Sequence, residues 1–413
     1  MRFRKLLFWT HLAAGLIAGL AIGVMCFTGV TLAFEKQLVA WSERDARQVT
    51  PPSPDAAQFS LDDILARVRA VQPDARPSAI TLSADPRQAV TVSFGRDQAI
   101  FVNPYTGEPR QPASTAMHDF LHTMENWHRV LAFSGDQRPL GKLINGVCNL
   151  AFCALAVTGL YLWLPRSWSW RSVRAIAVFN GRLTGKARDF NWHNAIGLWS
   201  APILIVLTLT AVPISFRWGN ALVYRLVGEA PPVQAGPPGS AASAIDLPKP
   251  AADAHPLALA DQFAAVQNAF PAWEQITLRL ASPARGATPS RSPAAPGSAE
   301  NPARGPRADR AATPSPANFS VKLPDAWPRT ATTTVILNPF SGEILRQETF
   351  ADQTTGRQVR TWTRFLHTGE ALGWIGQLMA GLACLGGCFL VYTGFALSWR
   401  RFFGKKPVAR AQT

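Results

Sequence analysis

The sequence predicts an α-helical membrane protein, with four transmembrane helices and two external α+β domains built from the long segments between them. Three observations predict it. Only 16% of the 413 residues are charged, against roughly 25% in soluble globular chains. Apolar residues make up 47% of the chain and gather in four blocks, residues 6–34, 143–164, 192–216 and 371–399, that contain no Asp, Glu, Lys or Arg. The formal charge of +15 is also unevenly placed. An ordinary soluble enzyme is excluded.

Each block reaches the roughly 20 residues that a helix needs to cross the hydrocarbon layer. The first, with its N-terminus, occupies residues 1–34. Arg2, Arg4 and Lys5 precede it as in a signal peptide, but it exceeds a signal core of about 7–15 residues and lacks a small-residue cleavage site. It is expected to be a retained helix. The second span and third span (141–164 and 192–216) flank a basic loop, 165–191, with Arg166, Arg171, Arg174, Arg182, Lys186 and Arg188 against Asp189. The fourth span (371–399) is followed by a tail, 400–413, with Arg400, Arg401, Lys405, Lys406 and Arg410. These three segments hold thirteen of the fifteen net positive charges. Four spans place them on one side, which the positive-inside rule makes the cytoplasm, with both termini there. The high charge is thus a topology signal, and nucleic acid is not an expected partner; the lipid bilayer is.

The other side receives residues 35–140 and 217–370. In the first, residues 89–102 alternate as a half-buried strand does and run into Asn103-Pro104-Tyr105-Thr106-Gly107-Glu108. In the second, residues 332–337 are β-branched and run into Asn338-Pro339-Phe340-Ser341-Gly342-Glu343. The matched turns mark an internal repeat of a small α+β domain, with amphipathic helices expected at 61–71 and 257–270. Pro/Ala-rich stretches at 230–253 and 282–316 interrupt the second copy and are expected to be disordered insertions. The five cysteines, Cys26, Cys148, Cys153, Cys384 and Cys388, all fall within spans. No Cys-x-x-Cys-His occurs, which excludes covalent c-type haem.

Ionisable residues at membrane depth are rare and usually functional, and the seven histidines are patterned. His11 opens span one and His193 opens span three. Each is followed by Gly four residues later (Gly15, Gly197) and by Thr seventeen residues later (Thr28, Thr210). Both lie near the inner face. Spans two and four align through Gly141-x-x-x-x-Gly146 with Gly376-x-x-x-x-Gly381, and Thr158-Gly159 with Thr393-Gly394. His128 precedes span two and His367 precedes span four, both near the outer face. One histidine from each of four helices suits bis-His ligation of two haems, since imidazole is a common axial ligand. Seventeen residues of helix separate inner from outer ligands by on the order of 25 Å.

His11, Gly15, Gly19 and Gly23 recur every four residues, giving a bare helix face that would admit a flat macrocycle. Small residues at that spacing also pack membrane helices together. For the outer pair, Phe120-Leu121-His122-Thr123 repeats Phe365-Leu366-His367-Thr368, which nominates His122. Distance to the shared glycine nominates His128, so both stay open. His118 and His122 stand one turn apart, as interfacial polar groups or a minor metal site. His255 reads as solvated. Arg129 and Arg364, near the outer pair, suit a haem propionate or an anionic substrate, or simply snorkel.

The matched N-P-[Tyr/Phe]-[Thr/Ser]-G-E turns resemble PepSY domains. Trp127-His128-Arg129, Thr158-Gly159-Leu160-Tyr161-Leu162-Trp163-Leu164-Pro165-Arg166, His193-Asn194-Ala195-Ile196-Gly197-Leu198-Trp199 and Leu366-His367-Thr368-Gly369-Glu370-Ala371-Leu372-Gly373 resemble the PepSY-associated transmembrane family. The resemblance covers nearly all of the chain except the Pro/Ala-rich insertions. It implies a bacterial inner-membrane protein with two haems b, ligated by His11 and His193 inside and by His128 and His367 outside. It further implies outward electron transfer that reduces the Fe(III) of a periplasmic ferric siderophore and releases Fe(II), an oxidoreductase activity in iron uptake. Some relatives carry a fused flavin reductase domain. Here fourteen residues follow span four and no Gly-x-Gly-x-x-Gly or P-loop is present. A separate cytoplasmic flavoprotein or a membrane quinol is therefore the expected donor. Two rival functions are a siderophore permease and a membrane-anchored PepSY regulator that inhibits a protease. The first is weakened by the lack of embedded acids and of broken helices with internal proline; the second leaves the paired histidines unexplained.

Overall fold

Charge-free apolar sequence must satisfy its backbone hydrogen bonds internally when it crosses lipid, and a helix does so within one segment. The computed structural model describes residues 2–95, 98–165, 168–232, 255–280 and 315–404. Most of the two Pro/Ala-rich stretches expected to be disordered lie outside the described residues, as do Arg166, Lys405, Lys406 and Arg410. In chain order the elements begin with α1 (Arg2–Leu32), α2 (Glu35–Ser42), α3 (Arg44–Arg47) and α4 (Leu61–Val71). Strands β1 (Ala79–Ser83), β2 (Val90–Phe94), β3 (Gln98–Val102) and β4 (Pro109–Arg110) follow, then α5 (Ala116–Val130) and α6 (Arg138–Trp163). Next come α7 (Trp170–Ala177), α8 (Gly185–Ser215), α9 (Arg217–Leu226) and α10 (Leu259–Ala269). The second strand set is β5 (Gln275–Arg279), β6 (Ala317–Lys322), β7 (Thr333–Leu337) and β8 (Ile344–Glu348), leading to α11 (Thr355–His367) and α12 (Gly373–Phe402).

Helices α1, α6, α8 and α12 are long and apolar enough to span a membrane. They close a ring in which each packs on both chain neighbours, α1 on α6 and α12, α8 on the same two. One expectation needs correction. Pro202 stands well inside α8, not only Pro213 near its end, yet the helix runs unbroken from Gly185 to Ser215. Asp189 is fully buried in the first turns of α8, bound by Arg188 at 2.8 Å and by Arg400 of α12 at 3.0 Å. The apolar block was shorter than the helix, because helical hydrogen bonding continues past the last uncharged residue wherever a buried ion pair supports it.

The strands of both copies form one antiparallel sheet, in the order β4-β3-β2-β1-β5-β6-β7-β8. The alternating stretch 89–102 is a hairpin, with β2 and β3 paired from Val90↔Val102 to Phe94↔Gln98. The two copies join where β1 pairs with β5, centred on Thr81↔Thr277. Those two hydroxyls lie 2.9 Å apart. The flanking pairs Ile80↔Leu278 and Leu82↔Ile276 repeat one Ile-Thr-Leu sequence against itself, as a two-fold interface between identical subunits would. One sheet face buries Ile80, Val92, Ile276, Phe319 and Val335 against α4 and α10. Asp62 of α4 accepts from the first amides of α10, Leu259 and Ala260. The opposite face carries Thr91, Thr81, Thr277, Ser320 and Thr334 as successive cross-strand partners.

The repeated turns are built alike. Asn103 Oδ1 accepts from the Tyr105 amide and Asn338 Oδ1 from that of Phe340, at 2.9 and 3.0 Å. Gly107 and Gly342 take φ of +68° and +74°, the left-handed region where a Cβ is strained. From each sheet half an amphipathic helix, α5 or α11, leads to a span.

Candidate functional site

The four histidines expected at the site hang from four different helices. His11 on α1 has its Nδ1 2.8 Å from Thr158 Oγ1 of α6, and His193 on α8 has its Nδ1 2.9 Å from Thr393 Oγ1 of α12. His128 on α5 places Nδ1 2.9 Å from Thr28 Oγ1 and 3.1 Å from the Met25 carbonyl of α1. His367 on α11 places Nδ1 2.9 Å from the Leu207 carbonyl of α8. Met25 and Leu207 each stand three residues before the matched threonines Thr28 and Thr210. The two halves of the molecule thus present one arrangement twice.

The proton positions follow. Thr28, Thr158 and Thr393 each donate their hydroxyl to a carbonyl of their own helix, Val24, Ala154 and Phe389, at 2.7 Å. A hydroxyl has one proton, so toward the imidazole each can only accept. A carbonyl likewise only accepts. All four rings therefore carry their proton on Nδ1 and leave Nε2 bare, the form in which a histidine ligates metal while its other nitrogen donates to a fixed acceptor. Burial, with the neighbouring His367, pulls the His128 pKa down to about 4, and burial lowers that of His367 as well. Both rings are neutral at neutral pH.

His128 and His367 face each other with ring centroids 6.2 Å apart. Two imidazoles binding one metal from opposite sides, with metal–nitrogen bonds of about 2 Å, bring their centroids to about that separation. His11 and His193 stand on α1 and α8, which both pack on α6 and α12. His122 is exposed on α5, and the structure does not bring it to His367. His118 binds the buried Glu43 at 2.7 Å, a carboxylate also held by Arg47. Among the described residues no group of three or more His, Cys, Asp or Glu is arranged to hold a metal. His255 is exposed.

A glycine lies beside three of the rings. A Cβ at Gly159 would come 3.4 Å from His11 Cε1, one at Gly394 3.7 Å from His193 Cε1, and one at Gly29 3.6 Å from His128 Cε1. In each Thr-Gly pair the threonine accepts the hydrogen bond of the ring's Nδ1–H and the glycine adjoins the ring's edge. The α1 stripe has another role. Leu155 stands at Gly15, Phe395 at Gly19 and Val391 at Gly23, while Leu390 stands at Gly197, so these positions seat neighbouring helices. Gly141 and Gly376 let α6 and α12 start against the Val130 and Gly369 carbonyls.

Several buried polar groups have no partner among the described residues. They are the indole N–H groups of Trp163 and Trp192, Arg360 Nη1, Asn145 Oδ1 and Thr330 Oγ1. Asn145 also donates to the His128 carbonyl at 2.9 Å. A buried donor left without an acceptor is costly, and a bound group can supply the acceptor. Arg129, in contrast, is exposed and paired with Glu125 at 2.5 Å, and the Arg364 guanidinium lies 5.5 Å from the Phe365 ring centroid. The threonine acceptors and Arg360 were not singled out in the sequence. The recurrent Thr-Gly pairs were the signal for the former.

A family model for the PepSY-associated TM region matches residues 8–401. The chain belongs to the PepSY-associated transmembrane family. That match takes in all four spans, both halves of the sheet and all seven histidines. No curated protein matches the chain. The PepSY-associated chain is a membrane protein whose paired strands and helices are arranged about one pseudo-two-fold relation.

Proposed function

We propose that this membrane protein binds two haems b, one between His11 and His193 and one between His128 and His367, and passes electrons outward through them. The observation that carries this reading is the facing of two neutral imidazoles across 6.2 Å, each with Nδ1 fixed by a helix and Nε2 bare. The orphan indole N–H of Trp192, next to His193 in sequence, and the orphan Nη1 of Arg360, two turns before His367, suit the acidic side arms of the cofactor. When bound, haem supplies a reversible one-electron couple whose potential its axial ligands help to set. The protein's part is to hold the imidazoles in one tautomer, to surround them with apolar helices that exclude water, and to stack two such sites across the bilayer.

With the basic loop and tail toward the cytoplasm, the His128–His367 pair faces the periplasm of a bacterial inner membrane, under the eight-stranded sheet. Fe(III) in a siderophore is the proposed oxidant; one electron gives Fe(II), which the chelator holds more weakly. A cytoplasmic flavoprotein or membrane quinol would supply the electrons, and Arg171, Arg174, Arg182 and Lys186 offer a basic surface to an acidic donor. The test is a dithionite-reduced minus oxidised spectrum of the purified protein, with haem quantified per chain. Two b-type haems are expected, with His193→Ala and His367→Ala each removing a different one. Protein made with ample haem that contains none would refute the reading.

A further inference from the structure

Helix α11 carries Arg357, Arg360 and Arg364 on its way to His367. Arg357 is neutralised by Glu348, 2.6 Å from its Nη1. Arg360 meets a different environment. Its Nε donates to the neutral side chain of Asn220 at 2.7 Å, and its Nη1 is closed off from solvent with no partner among the described residues. Burial, with Arg364 nearby, pulls its pKa below the ordinary arginine value, yet a guanidinium stays charged at any physiological pH. A buried cation whose N–H lacks an acceptor is an arrangement that a carboxylate would complete, since the guanidinium fork matches carboxylate oxygens.

Position says which carboxylate. Arg360 stands seven residues before His367, two turns of one helix face and about 10 Å along its axis. The acid arms of a porphyrin hang from its rim, well away from the metal, so a cation two turns from an axial ligand lies where such an arm ends. The other half of the molecule does not repeat the feature. Seven and three residues before His128 stand Leu121 and Glu125, and Glu125 already neutralises Arg129. We propose that Arg360 holds a propionate of the haem between His128 and His367, an inference that rests on the haem reading above.

The test compares haem retention by the full-length wild type, Arg360→Gln and Arg360→Lys, loaded with haem or with haem dimethyl ester, in nanodiscs of zwitterionic or anionic lipid. The expected result is that Arg360→Gln releases the outer haem about tenfold faster, that Lys recovers most of the retention, and that the difference vanishes with the ester. Without haem, Arg360→Gln should be at least as heat-stable as the wild type. A difference that persists with the ester and appears only in anionic lipid would assign Arg360 to a headgroup and overturn the proposal. So would equal retention by wild type and Arg360→Gln, or a haem-free variant that melts lower. A wild type that binds no haem would instead sink the functional reading itself.

Discussion

The three threonine acceptors lead to a graded prediction. Thr393→Val and Thr158→Val keep side-chain volume nearly constant but remove the partner of the His193 and His11 Nδ1–H. A buried donor left unsatisfied costs about 1–3 kcal/mol, and each 1.4 kcal/mol is about tenfold in affinity. Inner-haem binding should therefore weaken by about 5- to 100-fold, in line with the roughly 10–100-fold cost of losing the partner of a metal-ligating histidine. Thr28→Val should cost only about twofold, a net hydrogen bond of some 0.5 kcal/mol, because the Met25 carbonyl still accepts from His128 at 3.1 Å. Thr210→Val should cost nothing. Among the described residues the Thr210 hydroxyl bonds to its own helix, at the Val206 and Leu207 carbonyls, and His367 relies on the Leu207 carbonyl. Serine at 158 or 393 should restore binding. The assay is haem transfer to an apoprotein acceptor, followed by absorption, with spectra assigned from His193→Ala and His367→Ala. Equal haem retention by Thr393→Val, Thr210→Val and the wild type would refute the tautomer argument.

Other substitutions test the rest of the architecture. His122→Ala should leave haem content unchanged while His128→Ala removes the outer haem, as quantified by pyridine haemochrome; the reverse would reassign the ligand. Asp189→Asn should lower the melting temperature in detergent, because it removes the fully buried carboxylate that pairs Arg188 of α8 with Arg400 of α12. An unchanged melt would show that the partly exposed arginines simply resolvate. Gly342→Ala should destabilise the sheet by about 1–2 kcal/mol, since φ is +74° there and the new Cβ would stand 3.2 Å from Leu257 Cδ1. Hydrogen exchange of the β7–β8 hairpin reads this directly, and unaltered protection would argue that the turn relaxes.

Much of this protein could be read from sequence because the signals are local. Four charge-free blocks dictate four helices, since lipid offers the backbone no other partner. The Asn-Pro-aromatic-hydroxyl-Gly-Glu turns encode their own geometry through an Asx bond and a left-handed glycine. The histidine, glycine and threonine spacings recorded the duplication of the spans. Tertiary structure decided what depends on distance between segments. Whether His128 or His122 meets His367 turns on how α5 packs against α1, and local repeat pointed to the wrong residue as readily as the right one. That β1 and β5 fuse two halves into one sheet depends on Ile-Thr-Leu meeting its own copy some two hundred residues away. Proline count and block length misjudged α8, which runs unbroken through Pro202 and starts at Gly185, before the charge-free block, with Asp189 buried between Arg188 and Arg400. The role of each threonine needed both partners in view: one hydrogen bond spends its proton along its own helix, and the other, from a histidine on a different helix, fixes the tautomer.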